Sequence, residues 1–258
     1  MLWPTPMVGL PWGLPPLPGS GLLLEFGMLQ ARSSSLGDGE AWVSAAGPCE
    51  RRAGTGYSHA MTSPESSRKT SRGVMAAALQ SARDVLDAFI REPGTADQCA
   101  ALADLVTGAI RGGGKVMICG NGGSLCDAAH FAEELTGRFR NDRRPLPAIA
   151  CTEAGHLTCV ANDYGFEHVF SRWVTALARA GDVVIVLSTS GNSANCLMAV
   201  DAAKAAGART AALLGKDGGA LRGRCEVEII APGATSDRIQ EVHMLVLHAV
   251  VEAVEAGL

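Results

Sequence analysis

Five short runs of almost uninterrupted apolar residues, each followed by helix-like sequence, constrain this chain more than any other feature. They are Lys115–Cys119 (KVMIC), Pro147–Cys151 (PAIAC), Asp182–Ser188 (DVVIVLS), Arg209–Leu214 (RTAALL) and Val227–Ala231 (VEIIA). A strand with one wet face alternates apolar and polar residues; a continuous run suits a strand buried on both faces, as in a parallel sheet covered by helices. Helical composition and apolar spacing mark Ala76–Arg91 and Ala96–Arg111 ahead of the first run, then segments 124–139, 166–179, 194–206 and 238–255. The expected fold is therefore α/β, a doubly wound five-stranded parallel sheet flanked by helices, with two further helices at its N-terminal side. Ligands are expected at the carboxyl ends of the strands.

Residues 1–74 read differently. The opening MLWPTPMVGLPWGLPPLPGSGLLLEFG is dense in Pro and Gly, and a Ser-, Gly- and Arg-rich stretch runs on to SPESSRKTSRG. Neither has a sustained helical or alternating period, so 1–74 is expected to be a disordered extension and 75–258 the functional domain. Met61 and Met75 stand close to the orderly part, so an upstream mis-called start accounts for the extension; the alternative is a targeting or partner-binding role, which nothing in the sequence supports.

Composition removes several classes of function. A net charge of −4 and 5% aromatic residues give no reason to expect a nucleic acid or an acidic membrane surface as partner. No apolar stretch reaches transmembrane length. The eight cysteines form no CxxC pair and sit mostly in apolar or Ala-rich runs, which reads as buried reduced thiols and a cytoplasmic protein.

The first and third runs end in unusual loops. Cys119-Gly120-Asn121-Gly122-Gly123-Ser124 leads straight into a helix, with glycines that let backbone approach a ligand and a serine able to cap the helix. Ser188-Thr189-Ser190-Gly191-Asn192-Ser193 gathers four hydroxyls before another helix, a neutral donor set for an anion at a helix N-terminus. Turn and capping chemistry explains either loop alone; two of them after two strands of one sheet favour a small anionic ligand. Neither is a dinucleotide fingerprint or a P-loop.

Two helices carry candidate chemistry. His130 and Glu134 are four residues apart on one helix face, as are Gln240, Met244 and His248 on the last, strongly apolar helix. A carboxylate and an imidazole are the groups needed to move a proton from the carbon next to a carbonyl and to serve the adjacent oxygens. Two imidazoles, a carboxylate and an amide oxygen also make a Zn²⁺ donor set. The residue types alone do not choose between proton transfer and metal ligation.

In combination, CGNGGSLCDAAHFAEELTGRF, VANDYGFEHVFSRW, STSGNSAN, GKDGG and DRIQEVHMLVLH resemble the phosphoheptose isomerases of the sugar isomerase (SIS) class, from about residue 75 to the C-terminus. The resemblance implies an aldose–ketose isomerase that converts D-sedoheptulose 7-phosphate to D-glycero-D-manno-heptose 7-phosphate through an enediol, the first step of ADP- or GDP-heptose biosynthesis. It implies a homotetramer with active sites at subunit interfaces, a sugar phosphate as the small-molecule partner, and one Zn²⁺ per subunit. Glu134 and His248 would be the acid/base pair, and His130, Glu134, Gln240 and His248 the zinc set. Ser124, Ser188, Thr189, Ser190 and Ser193 would hold the phosphate. Asn121, Gly122, Gly123, Arg138, Asn162, Asp163, Asp237 and Gln240 would line the sugar site. Cys151-Thr152-Glu153 departs from the Ser/Thr-Asp expected after the second strand. The alternative is a non-catalytic SIS protein that binds a sugar phosphate or a replication-initiator partner; such a relative lacks the acid/base residues, and Glu134 and His248 are both present.

Overall fold

The computed structural model describes residues 70–258. Helices α1 (Ser71–Arg91) and α2 (Thr95–Arg111) lead into strand β1 (Val116–Gly120), α3 (Gly123–Thr136), β2 (Ala148–Ala150), α4 (Ala154–Tyr164) and α5 (Val169–Leu177). The chain then forms β3 (Val183–Ser188), α6 (Ala194–Ala205), β4 (Arg209–Gly215), β5 (Val227–Ala231) and α7 (Ser236–Gly257). All five strands pair in parallel, in the order β2-β1-β3-β4-β5.

The continuous apolar runs are explained by a core on each side of the sheet. On one face Val116, Ile118, Val183, Ile185, Leu187 and Leu213 pack with Leu102 of α2, Phe131 of α3 and Val246 of α7. On the other, Met117, Cys119, Val184, Val186 and Leu214 pack with Phe170 and Trp173 of α5 and Val200 of α6. Neighbouring residues of one strand thus feed opposite cores, each large apolar side chain contributing about 1.5–3 kcal/mol on full burial. β3 is buried at all six positions. β2 is shorter than expected and partly exposed, because it is the edge strand and has only β1 beside it.

Two further differences from expectation have local causes. α1 begins at Ser71, because the Thr70 side chain accepts the Gly73 amide and caps it, so 71–74 are helical; residues 1–69 of the expected extension lie outside the described residues. α4 has no counterpart in the expected elements. Only Val160 of it is buried, too little for an apolar period, and its start is set by the Glu153 carboxylate accepting from the Gly155 and His156 amides. The departure at Glu153 is therefore a helix cap.

Among the described residues no helix is long and apolar enough to cross a membrane. The seven described cysteines are all free thiols. Cys119, Cys151 and Cys196 are buried as expected, whereas Cys126 and Cys159 are exposed. Burial pushes the Cys151 and Cys196 thiols up to about 12, which leaves them inert.

Candidate active site

In the order β2-β1-β3-β4-β5 the winding reverses between β1 and β3, where a doubly wound sheet opens a crevice at its carboxyl edge. Both expected loops lie there. A cavity of about 330 Å³ between them is lined by Asn121, Phe166, Glu167, Ser193, Ala194 and Asn195.

The β1 loop is built around its glycines. Gly122 has φ 57°, and a Cβ on Gly123 would lie 2.6 Å from Gln240 Oε1, so a side chain at 123 would push the Gln240 amide from its present place. Ser124 does not cap α3 as expected; Gly122 holds that position, and Ser124 Oγ accepts instead from Gln240 Nε2 at 3.3 Å. Asn121 is paired twice with Asn195 of α6: Asn121 Nδ2 donates to Asn195 Oδ1 at 2.9 Å and Asn195 Nδ2 returns to Asn121 Oδ1 at 2.8 Å. Asn195 is buried, and nothing local in the sequence signals a bond between two loops so far apart in the chain.

Two hydroxyls of the β3 loop meet at the start of α6. Ser188 and Ser193 are hydrogen-bonded through their Oγ atoms at 3.1 Å, and Ser190 Oγ accepts the Asn192 amide at 3.2 Å. Thr189 Oγ1 reaches Ser236 Oγ at 3.0 Å, tying this loop to the first turn of α7. Asp237 is exposed beside Ser236; hydrogen bonds from Thr235 and then Arg238 hold its carboxyl below the usual range.

Helices α3 and α7 bring three expected residues together. Glu134 Oε1 lies 3.3 Å from His130 Nε2 and 3.3 Å from His248 Nε2. The imidazole rings stand nearly perpendicular, with centroids 5.2 Å apart. One donor atom from each residue falls within 4.8 Å of the others, and Glu134 Oε2 is buried without a hydrogen-bond partner. Two nitrogens and a carboxylate oxygen this close together are a donor set able to hold a metal ion. Gln240 stands apart from them. It is eight residues from His248, about 12 Å along the helix, and its amide is engaged at Ser124.

The remaining expected residues are not gathered to the same degree. Asn162 and Asp163 are exposed on α4 and bonded to one another at 2.8 Å. Arg138 is exposed just beyond α3. Asp127, which sequence reasoning passed over, is half-buried on α3 with Oδ2 unpartnered; burial raises its carboxyl and His130 partly offsets this.

Comparison with known proteins gives the family and the fold. A family model described as SIS domain matches residues 79–215. The chain is 54% identical over 172 residues to the phosphoheptose isomerase of Fusobacterium nucleatum, which covers 67% of this chain and 89% of that one. Among solved structures it is similar to phosphoheptose isomerase GmhA of Neisseria gonorrhoeae, with a TM-score of 0.67 and 38% identity over 72% of this chain and 99% of that one. A phosphoheptose isomerase of Francisella tularensis gives a TM-score of 0.69 and 33% identity over the same shares.

Proposed function

Since the chain belongs to the phosphoheptose isomerases of the SIS-domain family, we propose that Glu134 and His248 are the pair that moves protons in its isomerisation of sedoheptulose 7-phosphate. The observation that carries this reading is the 3.3 Å approach of Glu134 Oε1 to His248 Nε2 across two helices. The ketose loses a proton from C1 to give an enediol, which is reprotonated at C2 to give the aldose. One member of the pair takes the carbon-bound proton while the other serves the oxygens, and their roles exchange in the return direction. The hydroxyls of Ser188, Thr189, Ser190 and Ser193, with Ser124 and the start of α6, hold the phosphate. Asn121, Gly122, Gly123, Arg138, Asn162, Asp163, Asp237 and Gln240 make up the sugar side of the site.

His130, Glu134 and His248 would hold Zn²⁺, without Gln240, whose amide is engaged at Ser124. Their donor atoms lie close enough, and the unpartnered Glu134 Oε2 is the kind of buried oxygen that needs a cation or a proton. When bound, the metal supplies Lewis acidity toward the substrate oxygens.

The reading extends to a cytoplasmic homotetramer with active sites between copies. Val74, Met75, Leu79 and Ile90 of α1 and Leu245 of α7 expose apolar surface, and His130 and His248 are each open enough for a second copy to close over them. Free thiols suit a reducing compartment. Incubating the purified protein with sedoheptulose 7-phosphate and following the aldose by NMR tests the reaction. Turnover abolished by Glu134→Gln supports the pair, and an unimpaired variant removes it.

A further inference from the structure

The segment joining α3 to β2 carries one expected site residue, Arg138, yet it is where the two helices of the triad are fastened together. Just past α3, the Phe139 ring stacks on the His248 imidazole, with centroids 5.9 Å apart and planes 20° from parallel. Arg140 pairs with Glu252, one turn beyond His248 on α7. Arg143 then reaches both helices at once. Its Nε is 2.9 Å from Glu255 Oε1, one guanidinium nitrogen donates to the Glu134 carbonyl at 2.7 Å, and the other to the Leu135 carbonyl at 2.9 Å. Glu255 Oε2 accepts from the Arg140 and Asn141 amides at 3.4 and 3.5 Å. The Arg143 and Glu255 side chains are only 13% and 5% exposed.

Capping the carbonyls of α3 would be a purely local role for Arg143. The choice of partners says more. One of the carbonyls belongs to Glu134 itself, and Glu255 lies seven residues beyond His248, two turns along the same face of α7. A planar guanidinium is the one side chain that can donate in several fixed directions at once, so a lysine could not replace it. Reacting groups must be held to within about 0.5 Å for full effect, and two helices meeting at one carboxylate oxygen have no backbone link to fix that distance.

We propose that Arg143, seated by Glu255, is the positioning residue that holds Glu134 against His248, and that Phe139 fixes the plane of the His248 ring. The proposal rests on the reading of Glu134 and His248 as the reacting pair. Its test compares Arg143→Gln, Arg143→Lys and Phe139→Leu with Glu134→Gln and the unaltered protein. The readouts are kcat and KM for sedoheptulose 7-phosphate, the thermal midpoint, and the affinity of metal-free protein for Zn²⁺ by competition with a chromophoric chelator.

The expected result is a kcat lower by about tenfold or more in all three positioning variants, with KM within about threefold and Zn²⁺ affinity reduced roughly tenfold, the usual effect of losing a group that orients a ligand. Arg143→Lys should fail to rescue. Folded variants with unaltered kcat and Zn²⁺ affinity, whatever their thermal midpoint, overturn the proposal. Should the Arg143 variants not fold, Phe139→Leu and Glu255→Gln decide it by the same readouts. An active Glu134→Gln would instead bring down the underlying pair, whereas an inactive one beside fully active Arg143 variants brings down the positioning role alone.

Discussion

The α-carbon of Gly191 lies so close to the carbonyl of Gly218 that a Cβ added to Gly191 would sit 1.9 Å from that oxygen. Gly191 also has φ 66°, a conformation that side chains resist. Its carbonyl accepts the Leu221 amide at 2.9 Å, and neighbouring Asn192 Oδ1 accepts that of Ala220. The GKDGG segment after β4 therefore buttresses the hydroxyl loop after β3.

Gly191→Ala should consequently destabilise the protein by about 1–3 kcal/mol and displace the hydroxyl loop. The accompanying rise in KM is expected to be about tenfold, larger than the fall in kcat. Thermal unfolding and steady-state kinetics on one preparation check this; an unchanged KM would show that the loop does not hold the phosphate.

Glu134→Gln and His248→Gln should each reduce turnover on the order of 100-fold or more, the usual worth of a general acid or base. Both keep similar shape and some hydrogen-bonding capacity, so the loss belongs to the carboxylate and imidazole chemistry, proton transfer or metal ligation, and not to packing. Near-normal kcat in either purified variant would refute its assignment.

Ser190→Ala removes an oxygen that accepts the Asn192 amide and faces the start of α6. The effect should fall chiefly on KM, with kcat changed less. Titration with sedoheptulose 7-phosphate measures it, and equal KM in the two proteins would count against the hydroxyl cradle.

His243 predicts a pH dependence of stability. It is fully buried on α7, with Nε2 2.8 Å from the Leu214 carbonyl and Nδ1 unpartnered. Burial pushes its imidazole down to about 4, against a partial upward pull from the Leu214 bond. An unfolded chain takes up this proton near the ordinary value of 6.5. Between those two pH values the unfolded state holds the extra proton, so stability falls as the medium is acidified and is insensitive to this group above 6.5. The contribution reaches about 2 kcal/mol by pH 5. Urea unfolding at pH 7 and pH 5 should show a smaller difference in His243→Gln; equal differences in variant and parent would exclude His243 as the source.

What could be read from the chain follows the range of each interaction. Residues of β3 such as Val184 and Ile185 declare double-sided burial by sitting side by side, so the sheet was legible. His130 and Glu134 share a helix face by spacing alone; His248 was joined to them by the family resemblance, and the structure has it 3.3 Å from Glu134. α4 was not legible, because a helix with one buried residue leaves no apolar period. Asn195, Phe139 and Arg143 were equally silent: each meets a partner from a distant part of the chain, and nothing near them in sequence records it. Gln240 was grouped with the triad by its place on α7, whereas the structure engages it with Ser124, a difference of two helical turns that residue type cannot express.

α7 runs unbroken from Ser236 to Gly257, is tied at its first turn to Thr189, and carries His248 farther along the same rod. Whatever settles the hydroxyl loop also settles the helix from which the imidazole hangs. With the hydroxyl loop as the proposed phosphate cradle, free sedoheptulose lacks the handle by which that rod would be steadied. Its handicap should therefore appear in the rate of conversion as well as in the strength of capture, remote binding energy being spent on alignment.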